Sequence, residues 1–228
     1  MNISNAYIII PVFNHDEHLR RVILELQKRG FTKIIVVDDG STKDIFTNIS
    51  DLGIHFLRHK INLGQGAALQ TGFEFAKKNQ ANYAVSFDAD GQHSAADAET
   101  VLGPVLIGSA DLCLGSRFLS QNSQNVPSSR KRVLKLATFV NYLFANIKLT
   151  DAHNGLRALN AHALEKLKIT ENRMAHATEI LIEARKHSLR ITEVPVTIHY
   201  TDYSMKHGQS SWNSLRILID LLLYKLFA

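Results

Sequence analysis

Asp88 and Asp90 stand one residue apart in Phe87-Asp-Ala-Asp-Gly-Gln92, and alternate residues of an extended segment point to the same side. Two carboxylates placed in this way can share one cation. Hard oxygen donors that leave most coordination positions open suit Mg²⁺ or Mn²⁺ bridging a diphosphate, because both ions favour carboxylate and phosphate oxygens and commonly keep waters. Gln92 can add a carbonyl oxygen to the same turn. An isolated Asp-x-Asp reads as a solvated acidic turn; at a strand end beside a second acidic pair the metal reading gains the advantage.

That second pair is Asp38-Asp39, followed by Gly-Ser-Thr42, a run that also has the chemistry of a plain turn. Asn62-Leu-Gly-Gln-Gly66 opens a helix, and free backbone N–H groups there would suit an anion. The run lacks both the Gly-Lys-Ser/Thr ending of a Walker loop and the spacing of a dinucleotide fingerprint, so a generic glycine-rich helix start stays open. Arg117 and Arg157 fit planar recognition of phosphate oxygens, or equally structural ion pairs. Asp151 reads as a general base or as the cap of a turn.

These residues need elements to hold them. Residues 6–12 form a continuous apolar, β-branched run that predicts a buried strand. Leu19, Val22, Ile23 and Leu26 follow with helical spacing, with Asp16 and Glu17 before them and Gly30 as the stop. Strands are predicted at 33–37, 54–58, 83–87 and 111–114, and helices at 67–78 and 96–106. Alternating strands and helices imply parallel pairing with right-handed crossovers. Beyond residue 117 the pattern gives a polar loop at 120–129, a helical stretch from Arg130, a loop at 150–155, a helix at 175–186 and a strand at 190–200, read as decorating the first half. Ligands of an open α/β sheet sit outside the carboxyl ends of its strands, and the residues named above fall at those ends.

Composition narrows the classes. The 228 residues carry 26 Lys+Arg against 21 Asp+Glu, with 45% hydrophobic residues, which excludes disorder and predicts one domain. Cys113 is the only cysteine, so disulfide and Cys-zinc frameworks are excluded. No basic and aromatic face supports nucleic-acid binding. The first residues lack the composition of a secretory signal and no apolar run reaches membrane-spanning length, so the expected location is cytoplasmic.

Taken in order, Ile8-Ile-Ile-Pro-Val-Phe-Asn14, Val36-Val-Asp-Asp-Gly-Ser-Thr42, Asn62-Leu-Gly-Gln-Gly-Ala-Ala-Leu69, Asp88-Ala-Asp-Gly-Gln-His93, Gly115-Ser-Arg117 and Asp151-Ala-His-Asn-Gly-Leu-Arg157 resemble the inverting glycosyltransferases of family two. The similarity is to the branch with dolichyl-phosphate mannose synthase and bacterial polyprenyl-phosphate glycosyltransferases. It implies a GT-A fold, a Rossmann-like, mostly parallel sheet flanked by helices, and a nucleotide-sugar donor, read as a UDP-hexose. It implies a metal held by Asp88, Asp90 and Gln92, and places Pro11, Phe13 and Asp39 at the nucleoside. Asn14, Asp38, Asn62, Gly66, Asp88 and Lys206 are expected on the donor as well, Lys206 from a loop resembling the family's mobile one. Asp151, Arg117 and Arg157 take the catalytic side. The chain departs from the family at His15, where Glu usually follows the Asn; Glu17 lies two residues on.

The resemblance implies transfer of a hexose to a polyprenyl phosphate, with a saccharide hydroxyl as the other acceptor and a phosphoacceptor signalling domain as the non-enzymatic reading. A nucleotide-sugar half (1–117), an acceptor half (118–211) and a C-terminal amphipathic helix (212–228) are expected within the single domain. Arg130, Lys131, Arg132 and Lys135 precede an apolar stretch at 136–144. Together with 212–228 this composition predicts a peripheral position at the inner face of the plasma membrane. A core helix with a dimer contact, or docking to a membrane-spanning partner, are the other readings of these segments.

Overall fold

The computed structural model describes residues 5–14, 17–119, 146–151, 154–173 and 175–199, with residues 3, 138 and 142. Seven strands form one sheet: β1 (Ala6–Val12), β2 (Lys33–Asp38), β3 (His55–Arg58), β4 (Tyr83–Ser86), β5 (Leu112–Ser116), β6 (Arg157–Asn160) and β7 (Ile191–Pro195), in the order β3-β2-β1-β4-β6-β5-β7. The flanking helices are α1 (Leu19–Lys28), α2 (Gln65–Lys78), α3 (Ala95–Leu106), α4 (Ala161–Lys166) and α5 (His176–Lys186).

Period-two alternation sends β1 and β2 to both faces of the sheet. Ile8, Ile10, Ile34 and Val36 pack with Leu19, Ile23 and Leu26 of α1 and with Val101 and Leu102 of α3. Ile9, Ile35 and Val37 pack with Leu69 and Phe73 of α2 and with α4 and α5 on the other side. This is why the strand sequences are continuously apolar. At Gly72 of α2 an added Cβ would lie 2.3 Å from Ile9 Cγ2, so only glycine lets α2 approach β1 this closely.

Two expectations change. Residues 157–160, to which the sequence pattern assigns no element, form a strand, and the second half does not merely decorate the first: β6 sits inside the sheet, antiparallel to β4 and to β5. The parallel rule fails there because a strand that returns directly beside its neighbours needs no crossover. The last strand, expected over 190–200, ends at Pro195, with only an isolated bridge between His93 and Ile198 beyond it.

The end of the sheet away from the ligand rim is stapled by Asp111, whose carboxylate accepts from Arg190 N at 2.8 Å, Nε at 3.0 Å and Nη2 at 2.8 Å, and from Asn160 Nδ2 at 2.8 Å. Its hydrogen bonds to Arg190 hold the carboxyl well below the usual carboxylate range, against a smaller effect of burial. The Cys113 thiol is fully buried in β5, and burial, aided by the charge of Glu193, pushes it up to about 12. A thiol so placed is inert. Maleimide at pH 7.5 should therefore leave the folded protein unlabelled and label it one-for-one in denaturant, read by intact mass.

Candidate active site

Sheet order lays the candidate residues out in a row. β2 and β1 end at Asp38 and Val12, β4 ends at Ser86, and β5 ends at Ser116. Because β6 is antiparallel, its first residue, Arg157, pairs with Ser86 on one side and Leu114 on the other. The loop entering β6 therefore arrives at the same rim. Asp38 and Asp39 lie at one end of this row, the Asp88–Gln92 turn at the centre, and Arg117 and Asp151 at the other end.

At the first end, Asp38 is fully buried and its Oδ1 accepts from Ser41 N at 2.9 Å, which is turn chemistry. Arg58 Nε lies 3.2 Å from its Oδ2. Asn14, at φ 52°, accepts from Thr42 N and Oγ1 through its Oδ1 and donates its own N–H to Ser41 Oγ at 2.8 Å. The side chains of Asn14 and Asp38 thus tie the first two strand ends together. Asp39 accepts from Leu63 N at 3.0 Å, Gly64 N at 2.7 Å and Asn62 Nδ2 at 2.9 Å, and its Oδ1 lies 2.8 Å from His59 Nδ1. His59 Nε2 in turn meets Thr71 Oγ1.

The expected anion cradle at the start of α2 is corrected by this geometry. The Leu63 and Gly64 amides go to Asp39, and the Gly66 and Ala67 amides donate to the Asn172 carbonyl at 2.8 and 3.3 Å. A Cβ at Gly66 would meet Glu171 O at 2.0 Å, so that glycine is required by packing. Pro11 is half-buried in β1, whereas Phe13 presents a ring that is 45% exposed at the rim, open to stack on a planar group.

At the centre, Gln92 donates its N–H to Asp90 Oδ1 at 3.0 Å and its Nε2 to Asp90 Oδ2. The Asp90 carboxyl is pushed upward by burial and then by the charge of Asp88. For Asp88 burial acts upward too, but the His93 hydrogen bond and the charges of His93, His176 and Arg157 hold it below its ordinary value. His93 Nε2 is 3.6 Å from Asp88 Oδ2, and Gln65 Nε2 donates to Asp88 Oδ1 at 3.2 Å. A Cβ at Gly155 would lie 2.3 Å from Asp88 Oδ2, so the loop entering β6 presses its backbone against this carboxylate.

These residues fit a divalent cation. The donors are hard oxygens, the Asp88 side chain keeps 28% of its surface exposed, and two like charges raise each other's cost until a cation lies between them. Among the described residues no group of three His, Cys, Asp or Glu side chains surrounds a metal position, so the protein's share would be two carboxylates and the Gln92 carbonyl.

At the far end, Asp151 is 1% exposed. Its Oδ2 accepts from Arg117 Nε at 2.5 Å and Arg117 N at 3.1 Å, while Oδ1 is buried and has no hydrogen-bond partner among the described residues. Arg117 and Asp151 thus form an ion pair. Arg157, expected to clasp phosphate, is 3% exposed and donates from Nε to the Asn154 carbonyl at 3.1 Å. Burial brings its guanidinium down to about 10 against the pull of Asp88 and Asp151. Arg157 thus sits as a buried positive charge beside both Asp88 and Asp151.

The profile of the Glycosyl transferase family 2 matches residues 7–168. The chain belongs to that family. This family 2 glycosyltransferase is 34% identical over 230 residues to an uncharacterised protein of Methanocaldococcus jannaschii, covering 100% of this chain and 95% of the other. It is 32% identical over 240 residues to the UDP-N-acetylglucosamine–dolichyl-phosphate N-acetylglucosaminyltransferase of Methanococcus voltae, covering 96% of each. Its fold is that of glucosyl-3-phosphoglycerate synthase from Mycobacterium tuberculosis, a structure containing Mn²⁺, UDP and glucosyl-3-phosphoglycerate. The TM-score is 0.70 at 16% identity, covering 95% of this chain and 79% of that one. The GT-A architecture and the glycosyltransferase class expected from the motifs are thereby shown, and the phosphoacceptor-domain reading is set aside.

Sequence reasoning about the transferase missed four contributors. His93 was given no role, yet its ring abuts Asp88 and stands edge-on to Phe87 with centroids 5.8 Å apart. His176, at the start of α5, acts on the charge of Asp88 from the opposite side of the sequence. His59 buttresses Asp39, and Glu193 holds the Asp151 loop. His93 directly follows the Asp-x-Asp-Gly-Gln turn, a signal that was available; the other three are brought in by tertiary packing. Lys206, the basic segment 130–135 and the helix expected at 212–228 lie outside the described residues.

Proposed function

We propose that this enzyme moves a hexose from a UDP-sugar to a polyprenyl phosphate, with inversion at the anomeric carbon. The observation that carries the reading is the placement, on either side of the start of β6, of the Asp88–Asp90 carboxylates and of Asp151, one of whose oxygens is tied to Arg117 while the other has no partner among the described residues. The Methanococcus voltae relative, named as a UDP-N-acetylglucosamine and dolichyl-phosphate enzyme, supports the donor and acceptor classes. Mn²⁺ and UDP in the Mycobacterium tuberculosis structure support the metal and the nucleotide.

Asp88, Asp90 and Gln92 would hold Mg²⁺ or Mn²⁺, which when bound supplies positive charge to the departing diphosphate. Phe13, Pro11 and Asp39 form the nucleoside end, with Phe13 as the stacking surface. An acceptor oxygen enters from the Asp151 end, its bond to the anomeric carbon forming on the face opposite the breaking bond, and UDP leaves with the electron pair. A phosphate oxygen is already ionised, so Asp151 orients it; a hydroxyl would pass its proton to Asp151 Oδ1. Among the described residues no helix is long and apolar enough to cross a membrane. We place the enzyme on the membrane surface through the basic and apolar segments at 130–144 and 212–228.

The test is a panel of nucleotide sugars offered with polyprenyl phosphate in anionic liposomes and, separately, with a soluble glycan. Transfer to the lipid phosphate from one UDP-sugar, and co-sedimentation with liposomes that salt weakens, are expected; efficient transfer to the soluble glycan without liposome binding would overturn acceptor and placement together. On the nucleotide side, Asp39→Ala removes a charged acceptor that organises the Asn62–Gly64 segment. UDP affinity should fall by about tenfold or more, since hydrogen bonds to charged groups contribute roughly 1.5–3 kcal/mol. Calorimetry showing unchanged UDP affinity would remove Asp39 from the nucleoside end.

A further inference from the structure

Glu193 lies in β7, an edge strand, at the rung opposite Leu114 of β5. Its carboxylate accepts from Thr150 N at 2.7 Å and from Asp151 N at 2.9 Å, and Thr150 Oγ1 lies 3.1 Å from each of its oxygens. Two consecutive residues of the loop are thus gripped by one side chain from another strand. Thr150 Oγ1 is also 2.6 Å from Ser116 Oγ, which accepts from Phe118 N at 3.2 Å.

Each hydroxyl has a single proton, so the chain of bonds has one consistent direction. Phe118 N donates to Ser116, Ser116 donates to Thr150, and Thr150 donates to Glu193. The carboxylate is the terminal acceptor of a line that begins immediately after Arg117, the residue bonded to Asp151 Oδ2. Asp151 is consequently held twice: its backbone by Glu193 and its carboxylate by Arg117, both anchored to the β5–β7 pair.

We infer that Glu193 is a positioning residue for the transfer step: it fixes the loop that carries Asp151 at its end of the rim, and Thr150 and Ser116 extend its grip to the strand that leads to Arg117. The inference rests on the reading of Asp151 as the residue that orients or deprotonates the acceptor. A loop residue pinned at its own amide cannot drift toward or away from the anomeric carbon, and a misplacement of about 1 Å costs on the order of a hundredfold in rate. Donor contacts lie at the other end of the row, so the grip should register in turnover and leave donor binding alone.

The experiment is a double-mutant cycle on the full chain, with donor affinity and thermal unfolding measured for every variant. Glu193→Gln keeps the shape but turns one acceptor into a donor, and should lower kcat by roughly tenfold; Glu193→Ala should lower it by roughly 10- to 100-fold, both with UDP affinity unchanged. Thr150→Val, which removes only the hydroxyl, should give a smaller loss of the same kind and stands in if Glu193→Ala does not fold. In the Asp151→Asn background the Glu193→Gln loss should nearly vanish, because the group it positions is no longer functional. A damaging Asp151→Asn with an undiminished, multiplicative Glu193→Gln loss overturns the inference alone, as does a Glu193→Gln that weakens UDP binding or leaves kcat unchanged. Full turnover by Asp151→Asn overturns the reading of Asp151, and with it this inference.

Discussion

Asp90→Ala is expected to abolish transfer, by about three orders of magnitude or more, and excess chelator should do the same to the unaltered enzyme. Nucleotide departure from an anomeric carbon leaves a diphosphate whose developing charge must be met, and a metal ion there contributes several kcal/mol; about 1.4 kcal/mol corresponds to each tenfold in rate. Asp90 belongs to a turn closed by its own bonds to Gln92, so the substitution removes a donor oxygen and loosens the one residue beside it that adds a third. The fold should survive, because Asp90 is only half-buried and packs in neither apolar cluster. Rate is measured as UDP release and sugar transfer with Mg²⁺ or Mn²⁺ titrated into metal-free protein. Unimpaired turnover in excess chelator would remove the metal from the scheme.

Asp151→Asn should lower turnover by about two orders of magnitude if a hydroxyl acceptor must lose its proton, and less if an ionised phosphate is merely oriented. The substitution is nearly isosteric, yet it replaces a carboxylate that is 1% exposed and bonded to Arg117. Breaking a largely buried ion pair at one partner is costly, so a lower thermal midpoint is expected alongside the loss of rate. Donor binding, at the other end of the row, should persist. Comparing kcat with UDP affinity separates the two effects, and a variant with normal turnover would leave Asp151 as the cap of its turn.

The end of the rim proposed for the donor was legible in the sequence because its signals are local. The buried parallel strands announce themselves as β-branched runs, and Asp-Asp-Gly-Ser-Thr and Asp-x-Asp-Gly-Gln follow them directly. The acceptor side was legible only as residue types. Arg157-Ala-Leu-Asn160 is four residues long and begins with a charge, so no periodicity marks it as a strand; yet β6 is what brings Asp151 to the rim and buries Arg157. The glycine-rich start of α2 stays ambiguous in sequence for a related reason: the partners that take its amides, Asp39 and the Asn172 carbonyl, are distant in sequence. Glu193 reads in sequence as a polar residue in an ordinary strand, and gains meaning only through its bonds to residues more than forty positions earlier.

The placement of β6 between β4 and β5 also bears on how such a chain can diversify. The chain leaves the sheet after β5 and re-enters it at β6, the strand immediately beside it, where Leu114 pairs with Arg157. The two ends of this forty-residue excursion are therefore fixed rungs of one ladder. Closing a longer or shorter excursion between fixed ends changes the free energy only slowly with length, by about 0.6 kcal/mol per doubling. A change in the length of this segment should therefore leave Asp38, Asp39 and the Asp88–Gln92 turn in place on β1, β2 and β4. An exchange of residues 118–149 that keeps Thr150 to Arg157 retains the bonds of Glu193 to Thr150 and Asp151.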